Sequence, residues 1–302
     1  MIDQLTKALD ILKNEGVIAI PTETVYGLAG MISSEKAINK IFKVKERPFF
    51  DPLIVHISSL EMAKVQASNW TPLMDKLAKS FWPGPMTMVV DKSKSINPLI
   101  TSGLDKVGIR MPNHPLTLEL ISTLNTPLAA PSANKFTKTS PTKPLHVNDE
   151  FGDSVFVLDG GDCQIGIEST VLGVFEDRIE IYRPGMLTKE QIQDELKENF
   201  NHILVEYKES PVAPGQLKHH YMPKKPVTIT TKLNKDNLNS TWIVPDSPEL
   251  AARQLYAKLR ELDQVQSATI TIVLEDKFKN DERFKGILNR LEKAKTIDEY
   301  FI

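Results

Sequence analysis

Cysteine is nearly absent from the chain, since Cys163 is the only one among 302 residues. One thiol excludes an intramolecular disulfide and any zinc or iron–sulfur site built from several cysteines. No run of 18 apolar residues occurs, and the amphipathic, charged first residues lack the apolar core of a signal peptide. We therefore expect a cytoplasmic protein without a membrane-spanning segment.

An excess of charge of one sign is also missing. The chain has 37 Lys and Arg residues against 39 Asp and Glu residues, so its formal net charge at pH 7 is −2. Strong nonspecific binding to nucleic acid is therefore not expected.

Several common catalytic motifs are absent as well. The sequence has no G-x-x-x-x-G-K-[S/T] phosphate loop, no G-x-G-x-x-G fingerprint, no G-x-S-x-G elbow and no H-E-x-x-H pair. The function must therefore rest on residues dispersed along the chain.

Apolar periodicity predicts a mixed α/β fold for roughly the first 205 residues. Short apolar runs such as residues 17–20 and 53–57 predict buried strands, and residues 116–124 predict an amphipathic helix. A short polar stretch, residues 173–178, separates two apolar runs and predicts a hairpin. We therefore expect a mixed, partly antiparallel sheet with helices rather than a purely parallel sheet.

Residues 209–226 interrupt this pattern and predict a stiff, extended linker, because they contain four prolines and one glycine. This linker also carries a cluster of basic and aromatic side chains: Lys218, His219, His220, Tyr221, Lys224 and Lys225. We place one domain at residues 1–208 and a second at 227–302. The second contains strand-like runs around a long helix that begins after Ser247, which predicts a small three-layer α/β module.

Three arginines lie beside a proline at the edge of a predicted element. They occur in Arg47-Pro48, Arg110-Met111-Pro112 and Arg183-Pro184, and Lys45 adds a fourth cation. Because proline fixes the backbone, each guanidinium has a rigid mount that suits bidentate binding of phosphate or carboxylate. The pattern favours an anion site. The alternative, that each arginine forms an ordinary surface ion pair, stays open.

Loops rich in hydroxyl groups adjoin three predicted strands, at residues 21–27, 130–134 and 168–170. Open α/β sheets bind ligands at the carboxyl ends of their strands, where hydroxyls and backbone N–H groups can hold phosphate. The alternative is that these loops are Ser/Thr turns and helix caps. His56 lies within a predicted strand, where a lone histidine is more often a core residue than a catalyst.

Taken in order, these segments resemble the threonylcarbamoyl-AMP synthase family, whose catalytic domain is called YrdC-like. The similar segments cover most of residues 16–190. They are PTETVYGL (21–28), Lys45-x-Arg47-Pro48 leading to DPLIVH (51–56), FWPGPMT (81–87), RMP (110–112), APSAN (130–134), GIEST (166–170) and RPG (183–185). Residues 213–223 and 251–256 resemble the two-domain form. The resemblance implies the twisted mixed sheet of the YrdC-like fold followed by a small, here shortened, Rossmann-like domain.

The resemblance also implies a reaction. A nucleotidyltransferase of this family converts L-threonine, bicarbonate and ATP, with Mg²⁺ bound through the ATP, into L-threonylcarbamoyl-AMP and pyrophosphate. A downstream tRNA-modifying transferase complex then uses the product to modify an adenosine beside the tRNA anticodon. Stable binding of nucleic acid or a membrane by the synthase itself is not expected.

The family's functional residues map onto this sequence position by position. The L-threonine site corresponds to Thr24, His56, Arg110, Ala130 and Ser169. The ATP site corresponds to Arg47, Asp51, Lys106, Ser132, Asn134, Ser140 and Arg183. Lys45, Arg47 and Arg183 are the implied catalytic group, His220 and Tyr221 would close over the ligands, and no residue is assigned to a metal.

The chain departs from the family pattern at three places. Asp51 stands where relatives usually have asparagine, which brings a carboxylate near the nucleotide. Lys106 stands where relatives often have threonine. The second domain is short between residues 227 and 247 and lacks the usual Gly-Leu-Gly before its last helix.

Two other functions are weighed against this resemblance. The hydrogenase-maturation carbamoyltransferase shares the YrdC-like unit but adds an acylphosphatase domain and zinc-finger cysteines, which a single cysteine disfavours. An RNA-binding or ribosome-assembly module would use the same cations. The net charge and the lack of an aromatic and basic repeat disfavour that module.

Overall fold

The protein, in a computed structural model that describes residues 2–208 and 220–296, consists of two sheets with helices packed against both. The helices are α1 (Ile2–Lys13), α2 (Glu35–Lys45), α3 (Leu60–Gln66), α4 (Pro72–Phe81), α5 (Pro115–Leu124), α6 (Pro144–Phe151), α7 (Lys189–Leu196), α8 (Pro248–Gln264) and α9 (Lys285–Ala294). The strands are β1 (Ile18–Ile20), β2 (Gly27–Met31), β3 (Ile54–His56), β4 (Met86–Asp91), β5 (Lys106–Arg110), β6 (Leu128–Ala129), β7 (Phe156–Val157), β8 (Thr170–Val174), β9 (Arg178–Arg183), β10 (Leu204–Tyr207), β11 (Val227–Thr230), β12 (Thr241–Ile243) and β13 (Ile270–Val273).

The first sheet has ten strands in the order β10-β9-β8-β4-β5-β3-β6-β2-β1-β7. The sheet contains both parallel pairs, such as β3 with β5, and antiparallel pairs, such as β8 with β9. The mixed sheet and the hairpin at residues 173–178 are therefore confirmed. Its inner strands are apolar because helices cover them; β1 and β8, for instance, are buried at every position.

The sequence did not predict β2, whose residues Gly-Leu-Ala-Gly-Met have low strand propensity. Tertiary packing explains its composition. A Cβ atom at Gly30 would lie 3.1 Å from the Cβ of Ala37 in α2, so the glycine lets the helix approach the sheet closely.

Helix α2 ends so as to turn the chain toward the interior. Ser34 caps its first turn by accepting a hydrogen bond from the N–H of Ala37. At its other end Glu46 adopts a left-handed conformation with φ 54°, and the N–H of Arg47 bonds back to the carbonyl of Phe42. As a result, Lys45 and Arg47 both point into the protein.

The second sheet contains β11, β13 and β12, all parallel. Ser247 caps α8, as predicted, by accepting from the N–H of Leu250. Leu255 and Leu259 of α8 are fully buried. A small parallel α/β module, as expected for the second domain, is confirmed. Strand β10 pairs with β9, which places residues 204–207 in the first sheet.

The two sheets are joined by a common apolar core. Val25 and Ile167 of the first domain pack in one cluster with Leu255 of the second. Glycines allow the backbones to touch: a Cβ at Gly166 would lie 2.5 Å from the carbonyl oxygen of Ala252, and one at Gly286 would lie 2.7 Å from that of Gly185. Residues 209–219 of the predicted linker lie outside the described residues, as do 297–302 of the second domain.

None of the helices in the described ranges has both the length and the apolar character needed to cross a membrane.

Candidate active site

A narrow cavity of about 50 Å³ lies between the first domain and the described end of the linker. Its wall contains the three arginines, the three hydroxyl-rich loops and the described end of the linker. The lining residues are Thr22, Val25, Gly27, Arg47, Pro52, Ile54, His56, Arg110, Ala130, Pro131, Ser132, Glu168, Ser169, Arg183, His220 and Tyr221.

Three different elements supply the arginines: Arg47 follows α2, Arg110 ends β5 and Arg183 ends β9. Each is less than a tenth exposed. The alternative that they are surface ion pairs is therefore wrong. Guanidinium groups that are buried yet face a cavity are suited to binding anions.

Arg183 is held by the loop that precedes β8. Its Nε and Nη2 atoms donate to the carbonyl oxygen of Ser169 at 3.2 and 3.1 Å, and Nη2 also donates to the Ser169 hydroxyl at 3.2 Å. The same hydroxyl lies 2.8 Å from that of Thr87. Burial lowers the pKa of Arg183 from its usual value, but the guanidinium stays protonated at any physiological pH.

Arg110 is fixed by Glu23, whose Oε1 lies 2.7 Å from its Nη2. The other carboxylate oxygen of Glu23 accepts from the N–H of Asn113 at 3.0 Å. His56 lies on β3, which pairs directly with β5, so that His56 is opposite Arg110. Burial, aided by the Arg110 charge, lowers the pKa of His56 to about 3. His56 is therefore neutral at pH 7 and can orient a ligand by hydrogen bonding.

Arg47 forms a buried ion pair with Asp51, with 2.9 Å between Nη2 and Oδ2. Its Nε and Nη2 also donate to the carbonyl oxygens of Asp51 and Pro52. Burial raises the pKa of Asp51 from its usual value, while the Arg47 charge opposes that shift. Asp51 thus neutralises an arginine of the cavity wall.

Lys45 lies behind the cavity. Its Nζ donates to the carbonyl oxygens of Ser132 and Asn134, both at 2.5 Å, so it fixes the loop that presents Ser132. Burial, and next the charge of Arg47, lower its pKa well below the usual value. In this structure Lys45 is a positioning residue.

Glu168 is a buried carboxylate in the cavity wall. Its Oε1 accepts from the Ser140 hydroxyl at 2.6 Å, and its Oε2 accepts from Tyr256 at 2.8 Å and from Arg290 at 3.0 Å. Burial by itself would raise its pKa; Arg290, then Arg183 and the Ser140 bond, outweigh burial and hold the pKa at about 2. Glu168 is therefore ionised at neutral pH.

The described end of the linker covers the cavity. The His220 and Tyr221 rings lie 4.2 Å apart between centroids, and both residues are buried. Tyr221 has φ 64°, an uncommon conformation for an aromatic residue. Its ring lies 5.6 Å from that of Tyr256 in α8. Both residues line the cavity, and their closing over bound ligands stays a prediction.

Two family models match the chain in succession. A model of the Sua5, YciO and YrdC family, described as telomere recombination, matches residues 10–185, and a model described as the threonylcarbamoyl-AMP synthase C-terminal domain matches residues 187–296. The threonylcarbamoyl-AMP synthase of Pyrococcus abyssi is 34% identical over 317 residues, which cover 95% of this chain and 92% of that protein.

The chain belongs to the threonylcarbamoyl-AMP synthase family. It is accordingly an enzyme of the nucleotidyltransferase type. The synthase of Bacillus subtilis is 41% identical over 229 residues, covering 75% of this chain and 66% of that protein.

Solved structures of this family have the same fold. The crystal structure of P. abyssi Sua5 complexed with L-threonine superposes with a TM-score of 0.84 at 32% identity, covering 96% of this chain and 93% of the other. A HypF structure in the phosphate- and nucleotide-bound form shares only the fold, with a TM-score of 0.54 at 20% identity over 60% of this chain.

The structure brings most of the residues mapped from the synthase family to one place. Those that line the cavity are Arg47, His56, Arg110, Ala130, Ser132, Ser169, Arg183, His220 and Tyr221. Thr24, Lys45, Asp51, Asn134 and Ser140 are buried directly behind these residues and bond to them or to the loops that carry them. Their direct contact with substrates stays a prediction.

Lys106 requires a correction, because the structure does not bring it to the cavity. It lies at the opposite end of β5 from Arg110 and forms an ion pair of 2.7 Å with Asp91. Four residues of strand separate its Cα from that of Arg110 by about 13 Å. The structure therefore gives Lys106 no place in the ATP site.

Sequence reasoning missed four residues of this synthase-family site. Glu23 and Glu168 belong to two of the hydroxyl-rich loops, but the sequence indicates no site role for their carboxylates. Tyr256 and Arg290 come from the second domain, and Arg290 meets Glu168 across 122 residues of chain. No local pattern announces such a pair. The signal in the sequence was an arginine, Arg290, at a position of α9 that otherwise carries apolar residues, and the structure shows this arginine to be buried.

Proposed function

We propose that this chain joins L-threonine, bicarbonate and ATP into L-threonylcarbamoyl-AMP and pyrophosphate. The observation that carries the proposal is the convergence of Arg47, Arg110 and Arg183, from three elements, on one cavity. Three arginines in one enclosed site suit several anions at once, and the substrates bring a carboxylate, a carbamate and a triphosphate. The relative with L-threonine bound supports the amino-acid half.

The proposed site has two parts, one that binds L-threonine and one that binds ATP. We assign the threonine carboxylate to Arg110, with neutral His56 and Ser169 orienting the amino acid. We assign the phosphates of ATP to Arg47, Arg183 and the Ser132 loop. Each arginine is held by a carboxylate or carbonyl before any ligand arrives, so little reorganisation is needed when charge develops.

The reaction proceeds in two steps. Bicarbonate takes up a proton and loses water to give carbon dioxide, and the lone pair of the neutral threonine amine then forms a bond to its carbon. The proton that leaves the nitrogen balances the proton that bicarbonate took up, so the net products of this step are the carbamate and water. A carbamate oxygen then attacks the α-phosphorus of ATP. The bond between this phosphorus and the bridging oxygen breaks, and pyrophosphate leaves with the electron pair. The protein supplies position and charge in both steps, and no side chain acts as nucleophile.

The carbamate decomposes in water, so the site must close over it. The cavity of about 50 Å³ is much smaller than the roughly 300–1,000 Å³ of typical ligand sites. The substrates therefore require the lining to move. We expect His220 and Tyr221 to move aside for entry and to return over the bound ligands.

The residues present fit Mg²⁺ that enters with ATP. Within the described ranges, no group of three or more His, Cys, Asp or Glu residues forms a metal site. Glu168 is the carboxylate of the cavity wall, and its oxygens are already engaged. Phosphate oxygens and water would thus hold the ion, which neutralises the triphosphate. Arg47 and Arg183 would bind the remaining phosphate charge.

We propose further that the adenylate is released in the cytoplasm to a tRNA-modifying transferase complex. That enzyme class must transfer the threonylcarbamoyl group from the adenylate to the adenosine amine and release AMP.

Pyrophosphate release measured with purified protein tests the proposed function. We expect release from ATP only when threonine and bicarbonate are both supplied, and none when either one is left out of the buffer. Release that ignores threonine or bicarbonate would contradict the assignment. RNA binding without such release would instead favour the RNA-binding alternative.

Replacing Asp51 with asparagine is expected to lower the KM for ATP by about fivefold, because Arg47 is no longer neutralised while its hydrogen-bond acceptor is retained. The KM for threonine should not change. Steady-state kinetics with each substrate varied in turn provides the measurement. Asp91→Asn is the matched control, since Asp91 pairs with Lys106 away from the cavity; equal effects of the two variants would refute the role of Asp51.

A further inference from the structure

A charged network crosses the domain interface at the wall of the cavity. Glu168 of the first domain faces the cavity and is bonded to Tyr256 of α8 and Arg290 of α9 in the second domain. The second domain therefore reaches a carboxylate of the proposed active site directly, through two side chains that are themselves fully buried.

Arg290 is fixed from every side. Its Nε donates to the Glu168 carboxylate at 3.0 Å and its Nη2 to the Glu168 carbonyl oxygen at 3.2 Å, while Nη1 bonds to the carbonyl oxygen of Pro184. Pro184 directly follows Arg183 in the chain. The close contact between Gly286 and Gly185 sets the distance at which α9 approaches this loop.

The charge of Glu168 is a problem for an anion site unless it is compensated. An ionised carboxylate in the wall repels a triphosphate and attracts Arg183, which the phosphates need. Arg290 is the strongest of the groups that keep this carboxylate ionised, and Arg183 comes second. Without Arg290, Arg183 would be the main cation left to balance the carboxylate, although Ser140 and Tyr256 would still donate hydrogen bonds to it.

We propose that Arg290 is a positioning residue of the nucleotide site, through which the second domain neutralises Glu168 and leaves Arg183 and Ser140 in place to receive ATP. The inference rests on the proposed function. It gives the second domain a defined task inside the catalytic centre. Arg290 touches no substrate in this scheme, because Glu168 stands between it and the cavity.

The dissociation constant for ATP, measured by calorimetry on the full chain without threonine or bicarbonate, tests this inference. We expect Arg290→Met to weaken ATP binding by about tenfold, and Arg290→Lys, which keeps the charge, by less than about threefold. Neither lysine nor methionine can form the guanidinium's bonds to the Glu168 carboxylate, the Glu168 carbonyl and the Pro184 carbonyl all at once, so the comparison of the two variants reports on the charge. Threonine affinity should change little in either variant.

Removing the carboxylate charge should make Arg290 dispensable for ATP binding. In Arg290→Met/Glu168→Gln, the glutamine still accepts from Ser140 and can donate to Tyr256, and we expect ATP affinity to return to within about threefold of the unchanged protein. Arg253→Met is the control, since Arg253 crosses the interface to the carbonyl oxygen of Gln164 and not to Glu168. ATP affinity should be unchanged in that variant.

Several outcomes would overturn the inference: unchanged ATP affinity in Arg290→Met, equal losses in Arg290→Lys and Arg290→Met, or no recovery in the double variant. If Arg290→Met does not fold, the single variant Glu168→Gln tests the inference instead. In that variant the Arg290 charge is unopposed and should tighten ATP binding severalfold. Unchanged or weaker ATP binding in Glu168→Gln refutes the inference. A protein that binds ATP but forms no adenylate contradicts the proposed function. The comparison of ATP affinities among the Arg290 and Glu168 variants still tests the inference in that case. Absence of ATP binding contradicts both.

Discussion

Arg183→Ala is expected to lower the rate of adenylate formation by about two to three orders of magnitude, the effect of removing one preorganised charge donor from an enclosed site. Arg183 ends β9 beside the hydroxyl-rich loop and is held by Ser169, so its guanidinium is in position before ATP binds. Pyrophosphate release at saturating substrate concentrations provides the measurement. We expect Arg47→Ala to have a comparable effect, because Arg47 is the other arginine assigned to the phosphates.

Arg178→Ala is the matched control for Arg183→Ala. Arg178 begins the same strand but is directed outward, where it pairs with Asp177 and Glu180. Its loss should leave the rate unchanged. Thermal unfolding and circular dichroism should show that Arg183→Ala is folded, although an unpaired Ser169 carbonyl costs about 1–3 kcal/mol of stability. A folded Arg183→Ala protein with the full rate would contradict the assigned role.

The second large effect is expected at Lys45. Lys45→Met leaves two buried carbonyl oxygens, those of Ser132 and Asn134, without their donor. Relief from burying a charge offsets part of the loss, so we expect the free energy of unfolding to fall by about 2 kcal/mol. Because the Ser132 loop loses its position, the KM for ATP should rise by about tenfold.

Denaturant unfolding and steady-state kinetics measure these two consequences of Lys45→Met. Lys43→Met is the control, since Lys43 is exposed on the same helix two residues earlier. Both quantities should be unchanged there. If Lys45→Met destabilises the protein without altering the KM for ATP, Lys45 supports only the fold and its role as a positioning residue of the ATP site is wrong.

The fold was predictable where apolar periodicity is clear. Residues 17–20 and 116–124 form β1 and α5, with ends shifted by a residue. Strand β2 was not predictable from propensity, because the close approach of α2 requires a glycine at position 30. Strand β10 was not predictable for a different reason. It lies at the edge of the sheet, where its residues are partly exposed and show no clear apolar alternation.

The candidate site was predictable where proline marks it. The three arginines beside prolines all line the cavity. Each follows or ends an element, where the neighbouring proline fixes the backbone and thereby the direction of the side chain. Lys106 was mapped to the ATP site through the resemblance alone, and it does not reach the cavity because it begins β5 while Arg110 ends that strand. Glu168 and Arg290 needed the folded chain, since their pairing joins two domains.

The carbon atom of bicarbonate tests the central claim most directly. In the proposed reaction, the fixed arginines bring the carbamate to the α-phosphorus of ATP and not to the γ-phosphorus. With ¹³C-labelled bicarbonate, threonine and ATP, nuclear magnetic resonance of the product should show the labelled carbon coupled through one oxygen to the phosphorus of AMP, with pyrophosphate as coproduct. Formation of ADP and phosphate, or AMP without the label, would contradict the account.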